Sequence, residues 1–311
     1  MRHVTESQQF TRQLLQRLFQ DADRMHEALG SSSGRRELTK LHENEVLFTI
    51  FYEPSTRTRL SFETAGSRLG MKIVSTESAA QFSSAIKGET LEDTFRVLCA
   101  LGPDVIALRH KETGAAARAI SVSSVPVINA GDGTGQHPTQ ALLDLYTIQR
   151  EKGKVDGLTI AIGGDLAHGR TARSLAYLLG KFTGVSVVFI SPSVCRIGDD
   201  IKAYLDRHGV RFSETEDLFP AASECDVLYW TRVQKERMSA ELYEAIADRY
   251  VINADTAGKM RDDMIIMHPL PRVHEISVEV DTDPRAAYFR QVANGLVIRM
   301  ALLHWILSEG A

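Results

Sequence analysis

The sequence has few of the features that mark exported, metal-binding or nucleic-acid-binding proteins. Its three cysteines, Cys99, Cys195 and Cys225, are scattered and form neither a CxxC pair nor a zinc spacing, which favours a reducing cytosol over secretion. The ten histidines never fall in a metal-ligand pattern such as HExxH, so we expect no bound metal. The net charge of −4 gives no indication of a nucleic-acid or anionic-membrane partner.

Long apolar segments are also missing. No apolar run approaches the ~20 residues that a bilayer-spanning helix needs, and we expect no membrane partner. The N-terminal region is polar and lacks the apolar stretch of a signal peptide, so we expect a cytoplasmic protein. The 311 residues, 43% of them hydrophobic and 24% charged, are ordinary for a globular protein and suggest two domains.

Short β-branched or aliphatic runs alternate with amphipathic stretches along the chain. This alternation predicts an α/β fold of two domains, each a doubly wound unit with a parallel sheet. The predicted strands are Val46–Tyr52, Lys72–Ser75, Asp104–Leu108, Val127–Asn129, Leu158–Ile162, Val185–Ile190, Val227–Tyr229, Val251–Asn253 and Met264–Met267. The predicted helices lie near 59–69, 90–101, 138–150, 171–182, 197–208 and 239–247.

A polar, glycine-containing segment at 150–157 separates two rounds of this alternation. We therefore predict a first domain at residues 1–150 and a second at 151–290. The chain ends in a helical stripe of apolar residues that must be buried, and we expect residues 291–311 to pack back on the first domain. The short segment Ser31–Gly34 is predicted to be a flexible loop.

Residues 53–59, Glu-Pro-Ser-Thr-Arg-Thr-Arg, directly follow a predicted strand and precede an apolar helical pattern. Free N–H groups and the helix dipole favour an anion at such a helix N-terminus. Ser55 or Thr56 can cap the helix, and Arg57 and Arg59 add charge-assisted donors. A simple cap followed by surface arginines is the alternative, but five consecutive polar residues favour a phosphate site. The glycines and the GK[ST] of a Walker loop are missing.

Other polar segments are predicted to lie near the same edge of the sheet. Arg109 follows one predicted strand, and the His-Pro-Thr-Gln segment 137–140 follows another and opens a helix, with Pro138 at its first position. Residues 83–88 form a small polar loop that includes Lys87. Each segment alone could be a surface residue, a helix cap or a solvated lysine. Because ligands collect at the carboxyl ends of parallel strands, their shared location indicates a binding site.

Three motifs together resemble those of the aspartate/ornithine carbamoyltransferases: Ser-Thr-Arg-Thr-Arg at 55–59, His-Pro-Thr-Gln at 137–140 and His-Pro-Leu-Pro-Arg at 268–272. The resemblance covers nearly the whole chain, and the motifs occur in the family's order and spacing. It implies an active site in the crevice between the domains, with carbamoyl phosphate bound by the first domain. It implies no cofactor.

The resemblance also implies roles for individual residues. The residues implied to bind carbamoyl phosphate are Ser55, Thr56, Arg57, Thr58, Arg109, His137, Gln140, Pro269, Leu270 and Pro271. Those implied to be catalytic are Arg57, Thr58, Arg109 and His137. The carbonyls around Pro269 and Leu270 are expected to orient the carbamoyl NH₂, and the Leu270–Pro271 bond is expected to be cis.

The second substrate is expected to bind in the second domain. Arg170 and Arg232 each follow a predicted strand there, and two arginines suit a dicarboxylate. An ornithine site would instead need acidic or neutral acceptors for an ammonium group. The ornithine branch usually has Ser-Met-Gly and HCLP where this chain has Arg-Val-Gln and HPLP, so the chain resembles the aspartate branch. The residues implied to bind aspartate are Lys87, Arg170, Arg232, Gln234 and Leu270. A dinucleotide site at Gly163-Gly164-Asp165 is disfavoured because the GxGxxG spacing fails.

The resemblance implies transfer of the carbamoyl group from carbamoyl phosphate to L-aspartate, an early step of pyrimidine synthesis. It further implies a homotrimer in which Ser83 and Lys87 reach a neighbouring subunit's site, and domain closure through Glu53 and Arg237. Ile86 departs from relatives that have a second lysine there. The alternatives are a carbamoyltransferase for ornithine or another amino acid, and a non-catalytic scaffold homologue. Regulatory chains or other pyrimidine enzymes are partners that the family admits.

Overall fold

The structure is a computed structural model that describes residues 2–77, 79, 88–219, 221–233, 243 and 250–308. Its internal contacts divide the chain into two units, the first comprising Met1–Leu143 and Ala293–Ala311 and the second comprising Asp144–Val292. Each unit contains one sheet, and all strand pairs in both sheets are parallel. The predicted α/β class with two parallel-sheet domains is therefore confirmed.

The first unit contains a four-stranded sheet in the order β2-β1-β3-β4. The strands are β1 (Val46–Phe51), β2 (Lys72–Thr76), β3 (Val105–His110) and β4 (Val127–Asp132). The described helices that begin in this unit are α1 (Arg12–Leu29), α2 (Ser32–Leu38), α3 (Thr56–Arg68), α4 (Leu91–Ala100), α5 (Ala115–Val122) and α6 (Pro138–Lys152).

The second unit contains a five-stranded sheet in the order β7-β6-β5-β8-β9. The strands are β5 (Thr159–Gly163), β6 (Ser186–Ile190), β7 (Arg211–Thr215), β8 (Val227–Trp230) and β9 (Ile265–Met267). The described helices that begin here are α7 (Arg170–Leu179), α8 (Asp199–Arg207), α9 (Ala254–Ala257) and α10 (Tyr288–Ser308). The boundaries between the units fall inside α6 and α10.

Burial of the central strands explains their pattern. Every residue of β3 and β4 is buried, so neither strand alternates between buried apolar and exposed polar positions. The edge strand β2 instead exposes Lys72, Val74 and Ser75. Among the described residues no helix combines the length and apolarity that a membrane crossing requires.

Several local predictions are wrong. Val251–Asn253 is not a strand: Ile252 makes only an isolated bridge to Ile276. The strand Arg211–Thr215 was not predicted, because its edge position leaves it partly exposed and polar. Ser31–Gly34 is not a flexible loop but the start of α2, where the Ser31 hydroxyl accepts a hydrogen bond from the Gly34 N–H (3.0 Å). The helix predicted at 239–247 lies, apart from residue 243, outside the described residues.

Candidate active site

The carboxyl ends of β1 and β3 form the switch point of the first sheet. From β1 the chain passes to β2 on one side and then to β3 on the other, and ligands bind outside such a reversal in open α/β sheets. The Tyr52 N–H donates to the Arg109 carbonyl (2.8 Å), which joins the ends of the two strands. The polar turn 53–58 and Arg109 therefore meet where the topology favours a ligand.

The turn after β1 presents unpaired backbone donors. Helix α3 begins at Thr56. Of the two predicted caps, Ser55 occupies the N-cap position, but its side chain makes no capping hydrogen bond. Among the described residues, none accepts a hydrogen bond from the N–H groups of Thr56, Arg57 or Thr58. Three N–H groups at a helix N-terminus form a ready cradle for an anion.

The two arginines of this turn have different surroundings. Arg59 forms ion pairs with Glu63 (3.2 Å) and Glu77 (3.0 Å), and its guanidinium also donates to Ser75. Arg57 forms no ion pair with any described residue, and desolvation lowers its pKa, although the group stays charged at neutral pH. Arg59 is therefore engaged within the fold, contrary to its predicted role as a ligand donor, while Arg57 is available to an anion.

Arg109 was predicted to follow its strand, but it lies inside β3 and is only 9% exposed. The register between β3 and β4 shifts between Leu108 and His110, so Arg109 occupies an irregular position in the sheet. Its guanidinium donates to the Ala130 carbonyl (3.2 Å), and its Nε lies 3.3 Å from a carboxylate oxygen of Glu53. These contacts hold a buried charge near the end of the sheet.

His137 is buried immediately before α6, whose first residue is Pro138 as predicted. Its carbonyl accepts the Gln140 and Ala141 N–H groups (3.0 and 3.1 Å), which fixes it at the helix N-terminus. Gln140 follows in the first turn of α6 and is partly exposed.

Asp132, at the end of β4, holds the loop that leads to His137. Its carboxylate accepts from the Asn129 side chain (3.0 Å) and from the Gln136 and Gly114 N–H groups (3.1 and 2.8 Å). This role of Asp132 was not predicted from the sequence. Its signal was a lone aspartate between two glycines, three positions after the predicted strand Val127–Asn129.

The second sheet has its own switch point between β5 and β8. Arg170 is the first residue of α7, and Arg232 lies two residues beyond β8. The ends of the two strands are joined by the Thr231 N–H and hydroxyl, which both donate to the Gly163 carbonyl (2.8 and 2.9 Å). Gly164 has φ of 109°, and a Cβ there would lie 2.1 Å from the Thr231 carbonyl oxygen. A Cβ on Gly163 would likewise lie 2.1 Å from the Trp230 ring, so close packing against β8 and Thr231 accounts for both glycines.

The His-Pro-Leu-Pro-Arg motif forms the loop after β9. The Leu270–Pro271 bond is cis, as expected from the resemblance, and Leu270 has φ of 52°. No hydrogen bond from a described residue reaches the carbonyl oxygens of Pro269 and Leu270. Arg272 is instead held by Asp281 and Tyr288 within the second unit.

Several predicted site residues are not tested by the geometry. Ser83, Lys87, Gln234 and Arg237 lie outside the described residues. Glu53 is described, and it forms an ion pair with Arg109 of its own unit. Within the described ranges, no group of three or more His, Cys, Asp or Glu side chains is placed to hold a metal ion.

Comparison with protein families places the chain in a known class. Residues 2–150 match the carbamoyl-phosphate-binding domain, and residues 156–306 the aspartate/ornithine-binding domain, of aspartate/ornithine carbamoyltransferases. The chain belongs to the aspartate/ornithine carbamoyltransferase family.

The relatives of the chain include aspartate carbamoyltransferases. The chloroplastic aspartate carbamoyltransferase of Arabidopsis thaliana is 54% identical over 98% of this chain and 77% of its own length. The solved catalytic subunit of M. jannaschii aspartate transcarbamoylase is 44% identical, with a TM-score of 0.91 over 100% of this chain and 99% of that one. The Trypanosoma cruzi enzyme in complex with carbamoyl phosphate and aspartate is 39% identical, with a TM-score of 0.91 over 98% and 95% of the two chains.

Proposed function

We propose that this chain is an aspartate carbamoyltransferase that converts carbamoyl phosphate and L-aspartate to N-carbamoyl-L-aspartate and phosphate, a step of pyrimidine biosynthesis. The aspartate amine attacks the carbamoyl carbon, the bond from that carbon to the phosphate oxygen breaks, and the leaving phosphate accepts the amine proton. No nucleophilic side chain is needed, so catalysis consists of positioning and electrostatic stabilisation.

The first unit supplies the carbamoyl phosphate site in this proposal. The phosphate binds to the N–H groups at the start of α3 and to the Arg57 guanidinium, with Ser55 and Thr56 adding hydroxyls. Thr58, Arg109 and His137 direct donors at the carbamoyl oxygen, where negative charge grows during attack. The observation that carries this assignment is the unpaired N–H cradle at the switch point beside buried Arg109.

The second unit supplies the aspartate site in this proposal. Arg170 and Arg232 follow the two strands of its switch point, and each guanidinium can bind a carboxylate through two hydrogen bonds. The carbonyls of Pro269 and Leu270 accept from the carbamoyl NH₂, with Gln140 of the first unit as a further contact. Support for aspartate over ornithine comes from the relatives, including the T. cruzi enzyme solved with carbamoyl aspartate and phosphate.

One assay tests the reaction. Phosphate release from carbamoyl phosphate is measured with L-aspartate, with L-ornithine, and with neither, and the carbamoylated product is identified by mass spectrometry. We expect rapid release with aspartate and only background release in the other two reactions. Release with ornithine would establish the other branch of the family, and background release throughout would establish a non-catalytic homologue.

The assembly and its location are part of the same proposal. The protein is a homotrimer in which Ser83 and Lys87 of one subunit complete a neighbour's site, and Glu53 and Arg237 act in domain closure. Support for regulatory partners comes from the relative in Methanocaldococcus jannaschii, which is named a catalytic subunit. The three free cysteines suit the cytoplasm, whereas the plant relatives are named chloroplastic, so a plastid is the competing compartment. Cell fractionation distinguishes the two locations.

A further inference from the structure

The loop after β9 contains an unusual backbone conformation. Leu270 is the one non-glycine residue with positive φ, at 52°, in the part of the chain that the structure describes. This left-handed region is disfavoured for bulky side chains, and residues there persist only where their surroundings hold them. The neighbours of Leu270 must therefore stabilise this conformation.

His268 makes the contact that holds Leu270. The Leu270 N–H donates to Nδ1 of the His268 ring (2.8 Å), and the ring is almost completely buried. The His268 N–H in turn donates to the side-chain oxygen of Gln291 (3.1 Å). The Gln291 amide donates to Asp144 (2.5 Å), which also accepts from the Tyr229 hydroxyl (2.8 Å). The histidine is thus anchored to α10, α6 and β8 within its own unit.

Glu275 selects the tautomer of this histidine. Because Nδ1 accepts a hydrogen bond, the ring proton must lie on Nε2, which donates to the Glu275 carboxylate (2.9 Å). The other carboxylate oxygen accepts the Val273 and His274 N–H groups (3.1 and 3.2 Å). Burial alone would raise the pKa of Glu275, but the hydrogen bonds from His268 and from the backbone lower that pKa to about 2. The carboxylate is therefore charged at neutral pH.

The result of this network is the orientation of two carbonyls. Since no described residue donates to the Pro269 or Leu270 carbonyl oxygen, only the backbone conformation sets their direction. Building on the proposed function, we propose that His268 and Glu275 are positioning residues, which hold these carbonyls toward the carbamoyl NH₂ through the hydrogen bond from Leu270 to the ring. Neither side chain need contact the substrate.

Two substitutions at His268 separate the two ring nitrogens. In His268→Asn the amide oxygen lies near the position of Nδ1, so it keeps an acceptor for the Leu270 N–H but cannot reach Glu275. In His268→Gln the amide can still donate to Glu275 but offers no acceptor at the Nδ1 position. The pair therefore tests whether the acceptor for Leu270 is what matters.

The readout is the ratio of the affinities for carbamoyl phosphate and inorganic phosphate, measured by calorimetry. Both ligands need the phosphate cradle of the first unit, but only one carries a carbamoyl group. We expect His268→Gln to lower this ratio by about tenfold, because small misplacements of positioning groups are costly. His268→Asn should lower the ratio less. A purely structural role would lower the melting temperature without changing the ratio.

The proposal is overturned if the affinity ratio is unchanged in His268→Gln, or if His268→Asn reduces the ratio as much as His268→Gln does. It is also overturned if the wild type binds carbamoyl phosphate no more tightly than inorganic phosphate. If His268→Gln does not fold, Glu275→Gln is measured instead, and it should also reduce the ratio, because a neutral amide no longer selects the tautomer. An unchanged ratio in a folded Glu275→Gln overturns the proposal as well. Failure of the proposed function appears separately, as a wild type that prefers carbamoyl phosphate but releases no phosphate with aspartate.

Discussion

Glu53 and Arg109 form an ion pair at the end of the first sheet, with a carboxylate oxygen of Glu53 3.3 Å from Nε of Arg109. The Tyr52 N–H donates to the Arg109 carbonyl, so the backbone next to Glu53 is attached to the strand that carries the arginine. A role for Glu53 in domain closure was predicted from the sequence. The ion pair adds a role inside the first unit, since the carboxylate fixes a guanidinium that we propose stabilises the developing oxyanion.

Glu53→Gln tests this relationship. Arg109 loses a charged partner that orients it, so we expect kcat to fall by about tenfold. Binding of inorganic phosphate should not weaken, because the substitution removes a negative charge from near an anion site. Steady-state kinetics and phosphate calorimetry measure the two effects. An unchanged kcat would show that the Arg109 position does not depend on Glu53.

Arg57 and Arg59 provide a matched pair of substitutions in one turn. Arg57→Gln removes an arginine without an ion pair among the described residues, and we expect kcat/KM for carbamoyl phosphate to fall by about 10²–10³-fold. Arg59→Gln removes an arginine already paired with Glu63 and Glu77, so it should mainly lower the melting temperature. The prediction fails if the two variants lose activity equally while both remain folded.

Arg232→Ala tests the choice of the second substrate. Loss of a charge-assisted two-bond contact should cost about 2 kcal/mol, which raises the KM for aspartate and lowers kcat. Carbamoyl phosphate binding should be nearly unchanged, because its phosphate site belongs to the first unit. Arg207→Ala is the control, since Arg207 is exposed and donates to a backbone carbonyl of its own helix. Normal aspartate kinetics in Arg232→Ala would remove the argument for a dicarboxylate site there.

The location of the candidate site followed from the sequence because it depends on local patterns and one topological rule. The turn at 53–58, Arg109 and the His-Pro-Thr-Gln segment were each predicted beside a strand end. Parallel strands then bring such segments to one edge of a sheet. The residue pattern of a single strand does not show how that strand pairs with its neighbours in the sheet. The irregular pairing that places Arg109 inside β3 arises from contacts with β4, so the prediction put Arg109 outside the strand.

Buried polar networks were the larger omission. Asp144 and Gln291 are far in sequence from the groups they hold. Asp132 and Glu275 bond mostly nearby residues, but no motif of fixed spacing reveals them. The contact between Asp144 and Gln291, for example, joins residues 147 positions apart. An isolated buried carboxylate looks in sequence like any surface carboxylate. Only the packed structure shows that it must be satisfied by several donors.

A histidine pair predicts a pH dependence of stability in the first unit. Nε2 of His42 lies 2.9 Å from Nδ1 of His304, and one of the two nitrogens must be an unprotonated acceptor. Burial, followed by the charge of His42, lowers the pKa of His304; Asp21 opposes this shift, and Arg24 and Arg17 add to it. The unfolded chain therefore binds more protons than the folded one as the pH falls below about 6.5, and stability decreases there.

The variant His304→Gln should reduce this dependence. Between about pH 7.5 and pH 5.5 the melting temperature of the wild type should fall more than that of the variant, because glutamine does not titrate. His3 and His110 also have pKa values lowered by burial, so part of the slope should remain. His26→Gln, at an exposed position of α1, is the control and should retain the wild-type slope. Identical slopes in His304→Gln and the wild type would contradict the prediction.

Mixed trimers test whether active sites are shared between subunits. If Lys87 of one chain completes the site that contains Arg57 of its neighbour, Arg57→Ala and Lys87→Gln homotrimers should each be nearly inactive. A hybrid trimer places an intact Arg57 opposite an intact Lys87 at one of its sites. Denaturing and refolding the two variants together should therefore restore up to about a third of wild-type activity per hybrid trimer, if the sites act independently.

The control for this experiment is a chain that carries both substitutions. Refolding Arg57→Ala with the double variant yields trimers without any intact Arg57, so no activity should appear, and any that does measures contamination. Hybrid formation in both mixtures is verified on a native gel with a charge-tagged chain. If hybrids of the two single variants are present but as inactive as their parents, Lys87 does not act across the subunit boundary. If activity is restored when Arg57→Ala is refolded with Lys87→Gln, but not when it is refolded with the double variant, each active site must draw residues from two chains.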